Sequence, residues 1–468
     1  MASFHEVCMN VLKKVTPSPE EKAKALAIAE RMIRRLQEEA EKLNAKITPM
    51  LVGSLAKDTW IRGNQDIDIF MVFPQSYSFN EIGELGLKLA RRATGGLGEE
   101  QYAEHPYLRA NIEGFTVEFV PCFEIEDPSQ MRSSVDRTPL HTRYVKERLN
   151  ETLKGEIRLL KAFMKGIGAY GAEIRVGGFS GYLCELLIIH YGSFGNLLNE
   201  SLKWKPGHVI DPAKHYEDHE KPRKIFQSPL IVVDPIDPKR NVAAALTLQK
   251  FNEFRAAAKA FLEEPKEAFF FPPKVPSYPP EKLSSALRER GTSMLLIVFP
   301  TPRLPPDILW GQLSRSIQAV EKVLEQHDFK VLNRDVWSGE DETAFIIELE
   351  SKRLPRLKKQ LGPPPATPHQ SRFLKKHLTS HSTISGPRVE KDRWVVEVGR
   401  KYDDAEALLK DVLRKPDIGL GKHIAEKTAE KLTIYSDDEI LRFYSKNPSF
   451  QEHFTLTLLG RPKWLLPS

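Results

Sequence analysis

Two aspartates one residue apart, Asp66 and Asp68, lie in the run Asp66-Ile67-Asp68-Ile69-Phe70. In a strand, alternate side chains share a face, so the two carboxylates project together while Ile67, Ile69 and Phe70 are left for packing. Like charges that close repel unless a cation sits between them. A divalent ion answers that need, and Mg²⁺ favours one or two carboxylates completed by phosphate oxygens. Upstream, a Gly53-Ser54 turn follows the apolar run Met50-Leu51-Val52 and precedes a helix-like stretch. Backbone N–H groups and a hydroxyl at such a bend suit an anion such as a triphosphate. A third acid, Glu118, interrupts the apolar run Phe115-Thr116-Val117-Glu118-Phe119-Val120-Pro121-Cys122. An unpartnered carboxylate there is costly to bury. Asp-x-Asp or Gly-Ser alone is common. In this order the three features predict a phosphate cradle beside a metal-binding acid set, the chemistry of nucleotidyl transfer.

The elements that must position these groups are legible in outline. Ser18 and Pro19, followed by Glu20 and Glu21, open a helix that runs to about Leu43. Strands are expected over 47–52 and 66–73, a helix over 80–94, and two strands, 107–112 and 115–120, joined at Glu113-Gly114. This predicts a compact α/β unit of domain size. From 146 to 262 the pattern turns helical, with a helix over 156–165 and an apolar helix over 182–191 capped by Ser180. A short extended segment over 230–237 and a helix over 241–262 follow, then a proline-rich boundary over 272–280. Beyond it, a strand at 294–299, a helix at 308–327 and strands near 329–332 and 343–349 predict a small antiparallel sheet backed by helices. A strand at 393–398 and helices near 403–414 and 437–446 complete the pattern.

At 468 residues the chain exceeds one ordinary core. No apolar run reaches the length of a membrane span, and the N-terminal residues lack the pattern of a secretory signal. Cys8, Cys122 and Cys184 are scattered and match neither a zinc spacing nor a disulfide framework, which points to a reducing, cytoplasmic setting. Net charge is +6. The densest basic run holds Lys352, Arg353, Arg356, Lys358 and Lys359 and resumes at Arg372, Lys375 and Lys376. Such a run reads as a solvated face or, beside a nucleotidyl-transfer signature, as a nucleic-acid track.

Longer blocks narrow the reading. They are Val52-Gly53-Ser54-Leu55-Ala56-Lys57-Asp58-Thr59-Trp60, Tyr102-Ala103-Glu104-His105-Pro106-Tyr107, Ser134-Val135-Asp136-Arg137-Thr138-Pro139, Tyr170-Gly171-Ala172-Glu173, Gly178-Phe179-Ser180-Gly181-Tyr182-Leu183-Cys184-Glu185-Leu186 and Val233-Asp234-Pro235-Ile236-Asp237-Pro238-Lys239-Arg240-Asn241-Val242-Ala243. Together they closely resemble the archaeal-type (class I) CCA-adding enzymes, the tRNA nucleotidyltransferases. The resemblance implies an α+β multidomain fold: a polymerase-beta-like α/β head over 1–145, a helical neck over 146–265 that recognises the base, and an α+β body and tail over 266–468. It implies untemplated addition of C, C and A to the 3′ end of tRNA from CTP and ATP, with Mg²⁺. It also implies contacts to the acceptor stem and T arm, no membrane association, and room for a homodimer.

Matched by motif position, Asp66, Asp68 and Glu118 are expected to be catalytic and to hold metal, while Ser54, beside Gly53, and Lys57 meet the triphosphate. His141, Lys161 and Tyr170 line the nucleotide site, and Arg240 helps read the base. Each has a plainer alternative: a structural His141, a solvated Lys161, a packed Tyr170, an Arg240 salt-bridged to an acid such as Asp237. Two positions depart from the family pattern, which often has Glu-x-Asp with a third Asp, and Arg where Lys57 stands. Lys57 lacks the bidentate fork of Arg. The rival readings are a poly(A) polymerase, a small-molecule nucleotidyltransferase and an inert RNA-binding protein on the same scaffold.

Overall fold

A computed structural model of the chain describes residues 3–102, 105–415 and 418–466. Ala103 and Glu104, within one of the motif blocks, lie outside the described residues. The chain forms two compact units, Met1–Pro273 with Pro462–Ser468, and Lys274–Arg461.

The first unit begins with α1 (Phe4–Val15) and α2 (Pro19–Lys42). Ser3 with Glu6 and Ser18 with Glu21 close reciprocal capping boxes at their N-termini, each contributing about 1 kcal/mol. Then come β1 (Thr48–Val52), α3 (Gly53–Ala56), β2 (Asp66–Phe73), α4 (Phe79–Ala93), β3 (Glu99–Tyr102), β4 (Pro106–Ile112) and β5 (Phe115–Phe123). The strands form one sheet in the order β1-β2-β5-β4-β3, with β2 and β5 parallel and the other pairs antiparallel.

Period-two alternation decides what each sheet face carries. Ile67, Ile69, Met71, Phe73, Val117 and Phe119 pack in one core with Ile28, Met32 and Leu36 of α2 and Ile82 and Leu89 of α4. Phe70, expected to pack beside Ile67 and Ile69, lies instead in a separate small cluster with Val52, Val120 and Cys122. That second face is the one on which alternation places Asp66, Asp68 and Glu118.

The helical region follows: α5 (Thr138–Lys146), α6 (Glu151–Gly166), α7 (Gly181–Tyr191), α8 (Phe194–Ser201), β6 (His208–Ile210), α9 (Glu220–Ile225), β7 (Leu230–Val232) and α10 (Leu248–Glu263). Its core is aromatic, with Phe163, Phe194, Phe254, Phe261, Phe269 and Phe270 buried together, and α1 packs here through Val7, Val11 and Val15. The helix expected over 241–262 starts only at Leu248, capped by Thr247. Asn241 cannot begin a helix because its side chain is committed to the β7 edge. Its Oδ1 accepts from Val232 N at 2.9 Å and its Nδ2 donates to Leu230 O at 3.1 Å. The extended segment expected over 230–237 shortens to β7, which pairs in parallel with the unforeseen β6. Proline at 235 and 238 withholds ladder donors beyond it.

The second unit holds α11 (Pro280–Glu289), β8 (Ser293–Pro300), α12 (Pro306–Gln326), β9 (Val331–Ser338), β10 (Glu342–Leu349), β11 (Leu357–Leu361), α13 (Gln370–Leu378), β12 (Thr383–Glu390), β13 (Arg393–Gly399), α14 (Ala405–Val412), α15 (Lys422–Glu430), β14 (Thr433–Ser436), α16 (Ile440–Tyr444) and α17 (Pro448–Leu459). The antiparallel sheet expected here is present, with order β14-β8-β10-β9. Leu295, Ile297 and Phe299 face α12, while Met294, Leu296 and Val298 face α16 and α17. Both faces are covered, which is why β8 reads as an unbroken apolar run. A second sheet, β11-β13-β12, carries α13. The helix expected over 437–446 is a 3₁₀ turn, Asp437–Glu439, leading into α16. Among the described residues no helix is long and apolar enough to cross a membrane.

Candidate active site

β1 ends at Val52, which lies opposite Asp68 in the β1–β2 register, and Asp68 lies directly opposite Glu118 in the parallel β2–β5 register. The chain turns at Gly53 with φ +71°, and a Cβ there would fall 1.8 Å from Asp68 Oδ2. Only glycine lets the backbone close against that carboxylate. Asp68 shows the strain of the arrangement. Burial, then repulsion from Glu118 and Asp66, pushes its carboxyl up to about 7, with Lys57 opposing.

The three acids share one face without closing into a cage. Among the described residues no group of three or more His, Cys, Asp or Glu side chains is drawn tightly enough to hold one ion. Glu118 Oε1 instead accepts from Arg109 Nε at 2.8 Å and Nη2 at 2.5 Å, across the β4–β5 register. The donor set is nevertheless suited to a hard divalent cation. It consists of carboxylate oxygens with unrelieved repulsion at Asp68, and Mg²⁺ takes one or two carboxylates, waters and phosphate oxygens rather than a complete protein cage.

Beside the acids is a buried charge cluster. Glu185 is the one acid of the apolar helix α7 and is 1 % exposed. Its Oε2 accepts from Lys57 Nζ at 2.5 Å, and its Oε1 accepts from Lys161 Nζ at 2.9 Å and Thr59 Oγ1 at 2.6 Å. Burial would raise the Glu185 carboxyl, but Lys161 and Lys57 overcome it and hold it at about 2. Lys161 is therefore no solvated charge. Burial pushes its ammonium down, against the attraction of Glu185. One helical turn on, Lys165 Nζ lies 5.4 Å from the Tyr170 ring centroid. Its ammonium is pushed down by burial and supported by Asp66. Burial pushes the Tyr170 phenol up, and its hydroxyl lies 3.0 Å from where a Cβ on Gly181 would sit. Ser54 is half-exposed at the start of α3.

His141 and Arg240 meet on a second buried acid. Asp234 Oδ2 accepts from His141 Nε2 at 2.9 Å and from Arg240 Nη1 at 2.8 Å. A carboxylate only accepts, so the His141 proton is on Nε2. Burial would raise Asp234, but His141, the Ile236 amide and Arg240 hold it at about 2. Burial pushes the His141 imidazole down. Its ring stacks on Tyr182 at 4.1 Å between centroids, and Lys57 Nζ lies 5.9 Å from that same Tyr182 ring. The acid that binds Arg240 is thus Asp234; Asp237 takes Arg137 at 3.3 Å. Tyr182, Glu185 and Asp234 lie within the motif blocks, but neither they nor Arg109 are given a role by the sequence reading, although Glu185 carries the same signal as Glu118, a lone acid in an apolar run.

Comparison with known proteins identifies the family. Residues 33–141 match the nucleotidyltransferase domain family, residues 155–271 the second domain of tRNA nucleotidyltransferase, and residues 290–437 the C-terminal domain of the CCA-adding enzyme. The CCA-adding enzyme of Methanothermobacter thermautotrophicus is 40% identical over 92% of this chain and 94% of its own length. That of Methanosarcina acetivorans is 39% identical over 94% and 95%, and that of Methanopyrus kandleri 36% identical over 98% of each chain. Nucleotidyltransferase domains generally work with divalent metal ions, and CCA addition implies tRNA and nucleotides as substrates. With three family domains in order and relatives alike over nearly their full length, the chain belongs to the archaeal-type (class I) CCA-adding enzymes, the tRNA nucleotidyltransferases.

Proposed function

We propose that this chain adds C, C and A in turn to the 3′ end of tRNA without a template, taking CTP and ATP and releasing pyrophosphate by two-metal nucleotidyl transfer. The observation that carries the reading is the gathering of Asp66, Asp68 and Glu118 on one sheet face against the Gly53 bend, with repulsion at Asp68 left for a cation to relieve. Those three side chains would hold Mg²⁺, which when bound supplies the positive charge that favours ionisation of the tRNA 3′-hydroxyl and balances the triphosphate. Ser54 offers its hydroxyl to the triphosphate beside the Gly53 backbone. Lys57 and Lys161 share one carboxylate, so their cluster keeps one surplus positive charge in a buried setting, a seat for phosphate oxygens. Tyr170 and His141 line the nucleotide, and Arg240 directs its remaining donors at the base. In this reading 1–145 is the catalytic head, 146–265 the neck that reads the base, and 266–468 the body and tail that hold the acceptor stem and T arm.

The test uses tRNA lacking its last three nucleotides and single labelled nucleotides. CTP alone should add two residues, ATP alone none, and both together three, with arrest after A. Continuous extension by ATP alone would identify a poly(A) polymerase instead, and no incorporation an inert RNA-binding protein.

The basic run of the second unit divides in two. Lys352 pairs with Asp437 at 2.8 Å, Arg353 with Asp404 at 3.5 Å, Arg356 with Asp403 at 3.1 Å, Lys358 with Asp328 at 2.5 Å and Lys359 with Glu390. Arg372, Lys375 and Lys376 are exposed along one face of α13. They have no ion pair among the described residues. Phosphate contact therefore falls to α13. Changing all three to Gln is expected to weaken tRNA binding and to lower the log–log salt slope by roughly 2–3. The same change at Lys358 and Lys359 should do far less. Filter binding across a salt series decides, and an unaltered slope in the α13 variant assigns those charges to solubility alone.

A further inference from the structure

The loop from Asp234 to Arg240 is exposed only at Lys239 and is held at several points along its length. Asp234 N donates to Arg240 O at 3.0 Å, closing the loop on itself. The Asp234 side chain is fully buried and its two oxygens take four donors. Oδ2 accepts from His141 and Arg240; Oδ1 accepts from Ile236 N at 3.0 Å and the Tyr182 hydroxyl at 3.4 Å. Outside the loop, the segment after β6 straps it at two carbonyls. His215 Nε2 donates to Pro235 O at 3.0 Å and the Tyr216 hydroxyl donates to Pro238 O at 2.6 Å. The strap is itself pinned, because Tyr216 N donates to Asp211 Oδ2 at 2.9 Å. The Arg240 side chain is 32% exposed while the carboxylate that anchors it is fully buried.

The bases that must be accepted share one feature. C and A both present a ring-nitrogen acceptor beside an exocyclic amine, whereas U and G present a ring N–H beside a carbonyl oxygen. A donor fixed opposite the ring nitrogen therefore favours C and A and meets N–H with N–H in U and G. A guanidinium free to swing by about an ångström could reach the neighbouring carbonyl of U or G and lose that preference. Discrimination thus depends on how rigidly Arg240 is aimed.

We propose that Asp234, with the His215–Tyr216 strap behind its loop, is the positioning element that sets nucleotide choice, by fixing the Arg240 guanidinium against the ring-nitrogen edge of the incoming base. This rests on the base-reading role given to Arg240 above. Asp234 does not touch the base; it spends one guanidinium nitrogen so that the others face one way.

The test compares kcat/KM for CTP against UTP on tRNA lacking CCA, and for ATP against GTP on tRNA ending in CC. Asp234→Asn keeps the volume but loses the charge that anchors Arg240. It should lower both ratios roughly tenfold or more. Tyr216→Phe removes one hydroxyl remote from the base and should lower both ratios a few-fold, more than it lowers the rate with CTP. A merely structural role would lower all four rates together and leave the ratios intact. Should Asp234→Asn fail to fold, Tyr216→Phe decides. Ratios that fall in Arg240→Ala but hold in both other variants overturn this inference alone. Ratios that hold in Arg240→Ala overturn the base-reading role and this inference with it.

Discussion

Asp68→Asn is expected to slow C and A addition by roughly 10³-fold, about 4 kcal/mol of transition-state stabilisation, while making the ion-free protein more stable at neutral pH. The two effects share one cause. Asp68 sits partly buried opposite Glu118 with Gly53 pressed against it, and its carboxyl rises from an ordinary 3.8 to about 7. A folded pKa above the unfolded one means that the folded chain holds the proton more tightly. The associated stability is full below about 4 and is lost as pH rises through about 7. Asn cannot ionise, so the variant escapes that loss. Its melting temperature in a chelator near pH 8 should exceed that of the wild type by roughly 2–4 °C, with little difference at pH 4. Mg²⁺ should raise the wild-type melting temperature near pH 8 and leave the variant almost unmoved. Single-turnover incorporation and melts across pH, with and without the ion, check both halves. Turnover within tenfold of wild type, or identical melts at both pH values, would remove Asp68 from the metal site.

The second large effect belongs to Glu185. Its removal as Glu185→Ala leaves the buried ammoniums of Lys57 and Lys161 facing each other without their shared carboxylate. Breaking a buried ion pair in this way destabilises by about 3–5 kcal/mol, which should appear as a fall in melting temperature of roughly 10 °C for a domain of this size. Replacing the whole cluster, with Glu185→Leu, Lys57→Met and Lys161→Met together, should recover most of that loss, because apolar groups of similar volume need no counter-charge. Nucleotide addition should stay lost, since the surplus positive charge is gone. The pH sign is opposite to that of Asp68. With the Glu185 carboxyl held at about 2, against an ordinary 4.5, its contribution is complete above about 4.5 and disappears as pH falls toward 2. Calorimetry of the single and triple variants tests this. A triple variant no more stable than the single one would show that the cluster is not isolated from its surroundings.

What could be read in the sequence was whatever follows from neighbours along the chain. The alternation Asp66-x-Asp68, the capping signals at Ser18 and Ser180 and the apolar strands of both units depend on local spacing, and the structure has them where the spacing puts them. Glu185 was equally visible, as an acid on a helix too apolar to leave it solvated, but two of its three partners, Lys57 and Thr59, lie well over a hundred positions upstream. Asp234 was hidden by proximity: Asp237 is nearer to Arg240 along the chain, yet the backbone bond between Asp234 and Arg240 folds the loop so that the more distant acid is the one in reach. The same limit governs the basic run, whose first five charges are answered by Asp328, Glu390, Asp403, Asp404 and Asp437, none of them a near neighbour along the chain. Side chains that substitute for backbone partners, as Asn241 does at β7, also leave no periodic trace.

Arg109 gives the carboxylate face a resident counterion. Its guanidinium pairs directly with Glu118, whereas Asp66 and Asp68 meet only the longer-range attraction of Lys165 and Lys57. In the proposed reading loading would be an exchange rather than a simple filling: Glu118 would leave one cation before serving another. Apparent affinity for the metal would be set by that contest, and a chain that loosened the guanidinium's grip would load at lower concentration while folding less readily without the ion.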